Sequence, residues 1–144
     1  MKVIASEPDL RLVQHTGKET LELLPVLEEI SNRDLSWVAD GRSLDRLHIV
    51  IASRTALVIG FVIVDAAGGL MRIRDTFVVP QVTDRPVVLG ALVEAGLDAA
   101  ESAWGDVEIR FRDEAVSHLL KTGWQPIEGA QEEGTITLSG IGVA

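Results

Sequence analysis

The chain has no cysteine and no tyrosine, and its aromatic content is three tryptophans and three phenylalanines. Without cysteine it cannot form disulfides, present a thiolate nucleophile or bind zinc through sulfur. Its three histidines, His15, His48 and His118, lie far apart without metal-ligand spacing, so no metal is expected. It also lacks an apolar run of about 18 residues and a basic, then apolar, then small-residue leader, so neither a membrane span nor secretion is expected. The cytoplasm is the expected compartment. Positive charge is scarce: 13 basic side chains face 22 acidic ones, a formal charge of -9. Such a surface repels phosphate backbones, so nucleic acid is not an expected partner; it would concentrate cationic small molecules or lysine-bearing partners, or serve only to keep the protein in solution.

What is present is apolar and periodic. Hydrophobic residues make up 47% of the 144 residues, enough to bury a core. No repeat, low-complexity tract or linker divides the chain, so one domain over residues 1–144 is expected. The alternating segment from Leu10 through Leu12 to His15 predicts a first strand. Lys18 to Ile30 carries Leu21, Leu24, Leu27 and Ile30 at helical spacing, with Pro25 either kinking the helix or marking its start. Asn32 is an expected N-cap for a short second helix through Ser36, Trp37 and Val38, with Gly41 as its stop.

The period then changes. Leu47–Ala52, Ala56–Val64 and Met71–Val79 read as three strands of an antiparallel meander, with a tight turn near Ser53 and Arg54 and a loop at Ala66, Ala67, Gly68 and Gly69. Pro80 ends it. From Pro86 the pattern is helical, with Leu89, Leu92, Val93, Gly96, Leu97, Ala100 and Trp104 opposite Glu94, Asp98 and Glu101. Val107, Ile109 and Phe111 alternate with Glu108, Arg110 and Arg112 as a further strand. Asp113 can cap a helix ending at Gly123, and Thr135–Leu138 reads as the last strand.

The order strand, two helices, three-strand meander, helix, strand, helix, strand resembles the GNAT acyltransferases. The residues that carry the resemblance are Val58-Ile59-Gly60-Phe61-Val62-Ile63, Phe77-Val78-Val79-Pro80, and Ala115 to Trp124 closing on Lys121-Thr122-Gly123-Trp124; it spans about Leu10 to Pro126. The resemblance implies an α/β (α+β) fold, a mixed central sheet with an antiparallel meander flanked by helices. It implies N-acetyl transfer from acetyl-CoA to an amine of a small-molecule or protein acceptor. A homodimer is compatible with it. The strand at Phe77, Val78 and Val79 would pair with the pantetheine arm, and the following loop would offer backbone N–H groups to the pyrophosphate at a helix N-terminus.

That loop usually has glycines in the family, because side chains keep phosphate away from backbone. Here the positions are Asp84, Arg85, Pro86, Val87, Val88, Leu89 and Gly90. Asp84 adds negative charge, Pro86 withholds a donor and Arg85 could pair with phosphate. Asp84 and Pro86 are equally an ordinary N-cap and first-turn proline.

Amine acylation needs a base, and the departing thiolate benefits from a proton donor. The family's tyrosine position falls on Leu119, which carries no proton to give; neighbouring His118 points about 100° away around a helix. Asp75 is the nearest match to the family's strand carboxylate, unless it only pairs with Arg72 or Arg74. Glu108 is a second candidate, unless Glu108, Arg110 and Arg112 form a charge ladder. Trp37, Asp40 and Arg42 are candidate walls of the acceptor site. The departures leave open a non-catalytic GNAT-like binding or assembly module, or an unrelated α/β fold.

Overall fold

The computed structural model describes residues 2–6, 10–39, 44–67, 70–100, 106–127 and 134–140. Its elements are β1 (Lys2–Ser6), β2 (Arg11–Thr16), α1 (Glu19–Ser31), 3-10 turns at Ser36–Ala39 and Leu44–Arg46, β3 (Leu47–Arg54), β4 (Leu57–Ala67), β5 (Leu70–Val78), α2 (Arg85–Ala99), β6 (Asp106–Arg110), α3 (Ala115–Lys121), β7 (Gln125–Pro126) and β8 (Thr135–Ser139). They form one sheet of eight strands in the order β1-β2-β3-β4-β5-β6-β8-β7. The meander β3–β4–β5 is antiparallel, and the crossover through α2 brings β6 in parallel to β5.

Alternation sorts the sheet into two faces. Val62, Val64, Met71, Ile73, Val107, Ile109 and Leu138 turn toward α2 and α3, while Ile49, Ile51, Phe61 and Ile63 turn toward Leu24 and Leu27 of α1 and Val38 of the following turn. Each such fully buried side chain contributes roughly 1.5–3 kcal/mol of transfer free energy. Gly60 is required where these layers meet. A Cβ there would lie 2.6 Å from the Phe77 carbonyl oxygen and 3.1 Å from Leu92 Cδ1.

Several expectations are corrected. Asn32 does not open a helix; it closes α1 in the left-handed region at φ 54°, its N–H reaching the Glu28 carbonyl. Pro25 lies inside α1 on an exposed side, so it neither starts nor ends the helix. Ser53 and Arg54 belong to β3, and the turn falls on Thr55 and Ala56, whose φ values of 48° and 64° are the twisted geometry a two-residue hairpin needs. Ala66 and Ala67 belong to β4; Gly68 and Gly69 lie outside the described residues, as do Gly41, Glu101 and Trp104. Phe111 is not in a strand and is 65% exposed. β1 and the two-residue β7 had no counterpart in the sequence reading, because runs this short carry too few alternations to register.

Candidate functional site

The sheet opens on one side of β5. Pairing with β6 runs from Leu70↔Asp106 to Ile73↔Ile109 and stops there. At that point β5 holds an extra residue, Arg74, between the partners of Ile63 and Val64, and such a bulge bends the strand. β6 itself ends at Arg110, so the rest of β5 has no strand beside it on that edge. The gap is a cleft of about 240 Å³ bordered by Arg33, Asp75, Thr76, Arg110, Asp113 and Glu114.

Side chains hold the freed edge of β5. Arg33 Nη1 donates to the Thr76 carbonyl at 2.9 Å and to Asp75 Oδ1. Arg85 Nε donates to the Val78 carbonyl at 3.0 Å. Across the cleft the Thr76 hydroxyl donates to Asp113 Oδ1 at 2.6 Å, and the Ala115 N–H donates to the same oxygen. Burial raises the Asp75 carboxyl above its ordinary value, Arg33 opposing and Asp113 adding to the rise. Burial raises Asp113 as well, against its hydrogen bond from Thr76. Two desolvated carboxylates thus share one opening.

At the N-terminus of α2, Arg54 grips Asp84 through two bonds of 2.7 Å each, which holds the Asp84 carboxyl below its ordinary value. Arg85 forms a second fork onto Glu114, with its Nη2 at 2.9 Å from Oε1. The Val87 and Val88 N–H groups return to the Asp84 carbonyl. Between α2 and α3 runs a groove of about 310 Å³ bordered by Arg85, Pro86, Leu89, Ser117, His118 and Lys121. His118 Nε2 meets Glu94 Oε1 at 2.9 Å, and its ring lies over Gly90, where a Cβ would be 2.7 Å from Cε1.

No family model matches the sequence, and no curated protein matches it. Solved structures do. The ribosomal-protein-alanine N-acetyltransferase of Escherichia coli superposes over 88% of this chain and 91% of its own, with a TM-score of 0.63 and 16% identity. A protein of Exiguobacterium provisionally assigned as an acetyltransferase covers 92% of this chain and 95% of its own, with a TM-score of 0.65 and 19% identity. A Bacillus subtilis acetyltransferase solved in complex with CoA covers 90% and 96%, with a TM-score of 0.58 and 16% identity.

The fold is that of the GNAT acyltransferases.

On this GNAT scaffold the sequence candidates fall in separate places. Asp75 is at the cleft. Glu108 is not beside it; it sits on the sheet face 3.4 Å from Arg72 Nε, and Asp75 pairs with Arg33 rather than with Arg72 or Arg74. His118 faces Glu94 in the groove between α2 and α3, outside the cleft lining. Leu119, at the tyrosine position of GNAT enzymes, is fully buried in the core. Of the loop candidates, Val88 and Leu89 turn inward at 0% and 7% exposure, while Val87 is open at 66% and Pro86 is exposed beside it. Gly90 accommodates the His118 ring and leaves no backbone bare for phosphate. Phe77 lies beneath the Arg33 guanidinium, Val78 offers its carbonyl to Arg85, and Val79 N–H bonds back to Ile59 on β4. Trp37 stacks under Arg74, 4.5 Å from its guanidinium carbon, while Asp40 and Arg42 lie outside the described residues.

Sequence reasoning overlooked Arg33, Thr76 and Asp113 as cleft residues, and it missed that Arg54 neutralises Asp84. Asp113 was readable only as a helix cap, a role its side chain fills from one residue before the cap position, Glu114. Among the described residues no three His, Asp or Glu side chains converge as a metal would need, and no helix is long and apolar enough to cross a membrane.

Proposed function

We propose that the chain is an N-acetyltransferase that passes an acetyl group from acetyl-CoA to the amine of a small-molecule or protein acceptor. The observation that carries this reading is the edge of β5 left without a strand partner beside a half-buried carboxylate, Asp75, of raised proton affinity. The edge groups of Thr76 and Val78 suit an extended amide arm. Arg85 and Lys121 border the groove where a pyrophosphate would lie, and Arg54 stands at the same end of α2. These residues fit the cofactor, provided Arg85 exchanges Glu114 for phosphate.

When bound, the cofactor supplies a thioester carbonyl as the electrophile. Asp75 takes a proton from the acceptor ammonium, and Arg33 fixes the carboxylate that does so. As the C–N bond formed and the C–S bond broke, the nitrogen would release its second proton and the sulfur would take one, both through solvent, since Leu119 carries no exchangeable proton.

Calorimetric titration with acetyl-CoA, followed by a thiol-release assay with amines, tests the reading. Binding together with amine-dependent thiol release that Asp75→Asn lowers by about a hundredfold or more supports it. No binding sinks it. A non-catalytic GNAT-like module is the second reading, favoured by the buried Leu119 and by the occupancy of the Val78 carbonyl by Arg85.

A further inference from the structure

The described elements that pack on the α1 face of the sheet sit over β2, β3, β4 and residues 74–77 of β5. Beyond them, over β5, β6 and β8, the same face presents a depression of about 280 Å³. Its polar border is Arg72, Arg74, Arg110, Glu108 and Thr135, three guanidiniums against one carboxylate in a chain whose formal charge is -9. Alternation explains the convergence. Arg72 faces Glu108 across β5 and β6, and Arg110 faces Thr135 across β6 and β8, so all four point away from the apolar face.

These guanidiniums retain donor capacity. Arg72 Nε stands 3.4 Å from Glu108 and Arg74 Nη1 stands 3.6 Å from Asp65, both longer than a good hydrogen bond. The Arg110 guanidinium has no ion pair or hydrogen bond among the described residues, although its charge is felt at the Asp75 carboxylate. Arg74 is braced by the Trp37 ring, which limits the rotamer freedom it would lose on binding. Arg110 also borders the cleft that holds Asp75, so the depression and the cleft adjoin. Planar, forked donors on a rigid sheet are the arrangement that recognises carboxylate and phosphate.

We propose that Arg72, Arg74 and Arg110 form an anion subsite of the acceptor pocket, and that the acyl acceptor is a small amine that also carries a carboxylate or phosphate. This rests on the acetyltransferase reading for the word acceptor, while the anion subsite stands on its own geometry. The local field is opposite in sign to that of the whole chain, so net charge points to the wrong acceptor class. The free amine of such a molecule would extend toward Asp75 while its anion sits on Arg110.

The test uses the intact chain and four probes that share an amine: γ-aminobutyrate, its primary amide, phosphoethanolamine and putrescine. Affinities are measured by calorimetry without acetyl-CoA. The expected result is that γ-aminobutyrate or phosphoethanolamine binds and the amide and putrescine do not, with the stronger of the two anions identifying carboxylate or phosphate as the natural group. Arg110→Gln, at an exposed position, should weaken the anionic probe by about tenfold or more, and Glu108→Gln, which frees Arg72, should tighten it. The affinity for acetyl-CoA should be unchanged in Glu108→Gln, whose side chain lies outside the cleft. Binding of putrescine as tight as that of γ-aminobutyrate, no binding of either anionic probe, or anion affinity unchanged in Arg110→Gln would each overturn the proposal. Anion binding with the expected response to both variants, but no acetyl-CoA binding, would leave the subsite standing and remove the acetyltransferase reading.

Discussion

Arg85 Nε donates to the carbonyl of Val78 at 3.0 Å, while the two terminal nitrogens of the same guanidinium fork onto Glu114. One side chain thus closes the edge of β5 and ties the start of α2 to the residue before α3. The Glu114 bond also raises the Arg85 proton affinity, so Arg85 is a fixed cation.

Glu114→Gln should therefore tighten acetyl-CoA, because the guanidinium is released from its carboxylate while its position beside Val78 is kept. Arg85→Ala should weaken binding by about tenfold or more, as expected for losing a hydrogen bond to a charged group. Asp84→Gly should also tighten it, by removing a carboxylate from the start of α2. Calorimetry on the three variants checks the signs, and an unchanged affinity in all three would place the phosphates elsewhere.

The second expectation concerns Gly60. A Cβ there meets the Phe77 carbonyl oxygen at 2.6 Å, and a backbone oxygen held in a ladder cannot give way as a side-chain end can. Gly60→Val should cost about 1–3 kcal/mol, the usual range for overpacking, and lower Tm by several degrees. A melting curve identical to the parent's would show that β4 and β5 separate at no cost.

Gly90 and His118 should be coupled. In Gly90→Ala the new methyl falls 2.7 Å from the imidazole, so the ring must leave its place by Glu94. His118→Ala removes the obstacle. The double variant should be more stable than the sum of the two single effects implies, by at least about 0.5 kcal/mol in a double-mutant cycle. Additive effects would mean the ring has room to swing aside.

The pH dependence follows from the carboxylates of the cleft. Burial raises the folded proton affinities of Asp75 and Asp113 from 3.8, so at these two groups the folded chain binds more protons than the unfolded one above that value. Their contribution to stability is fully present below pH 3.8 and is lost as pH rises through their folded values. Asp113→Asn should thus flatten the fall in stability on the alkaline side of this window, followed by denaturant unfolding at several pH values. For catalysis the sign is reversed, since the base works only when ionised. Thiol release should rise with pH through the folded Asp75 value, and Asp75→Asn should abolish that rising limb.

Much of this was legible in order along the chain. Alternation at Leu47–Ala52 and Val107–Ile109, helical spacing from Leu89 to Ala100, and the stop at Pro80 are local patterns, and they determined the meander, α2, β6 and the likeness to GNAT proteins. Asp75 was legible only as a candidate base, through the resemblance, as the nearest match to the family's strand carboxylate. The absence of any tyrosine, and of glycine between Pro80 and Gly90, was likewise plain from the residues alone.

Only the tertiary structure decided the site's chemistry. Arg54 reaches Asp84 across 30 positions, Arg85 reaches Glu114 across 29, and Arg33 reaches Asp75 across 42. No periodicity encodes such pairings, because they depend on which strand ends meet which helix start once the sheet has twisted and β5 has bent at Arg74. Hence the loop's formal charges misled: Asp84 is neutralised, Arg85 is already engaged, and three arginines of an acidic chain, Arg72, Arg74 and Arg110, meet on one face of β5, β6 and β8. Sequence spacing sets which side of a strand a residue takes; long-range packing sets which charges that side then shares.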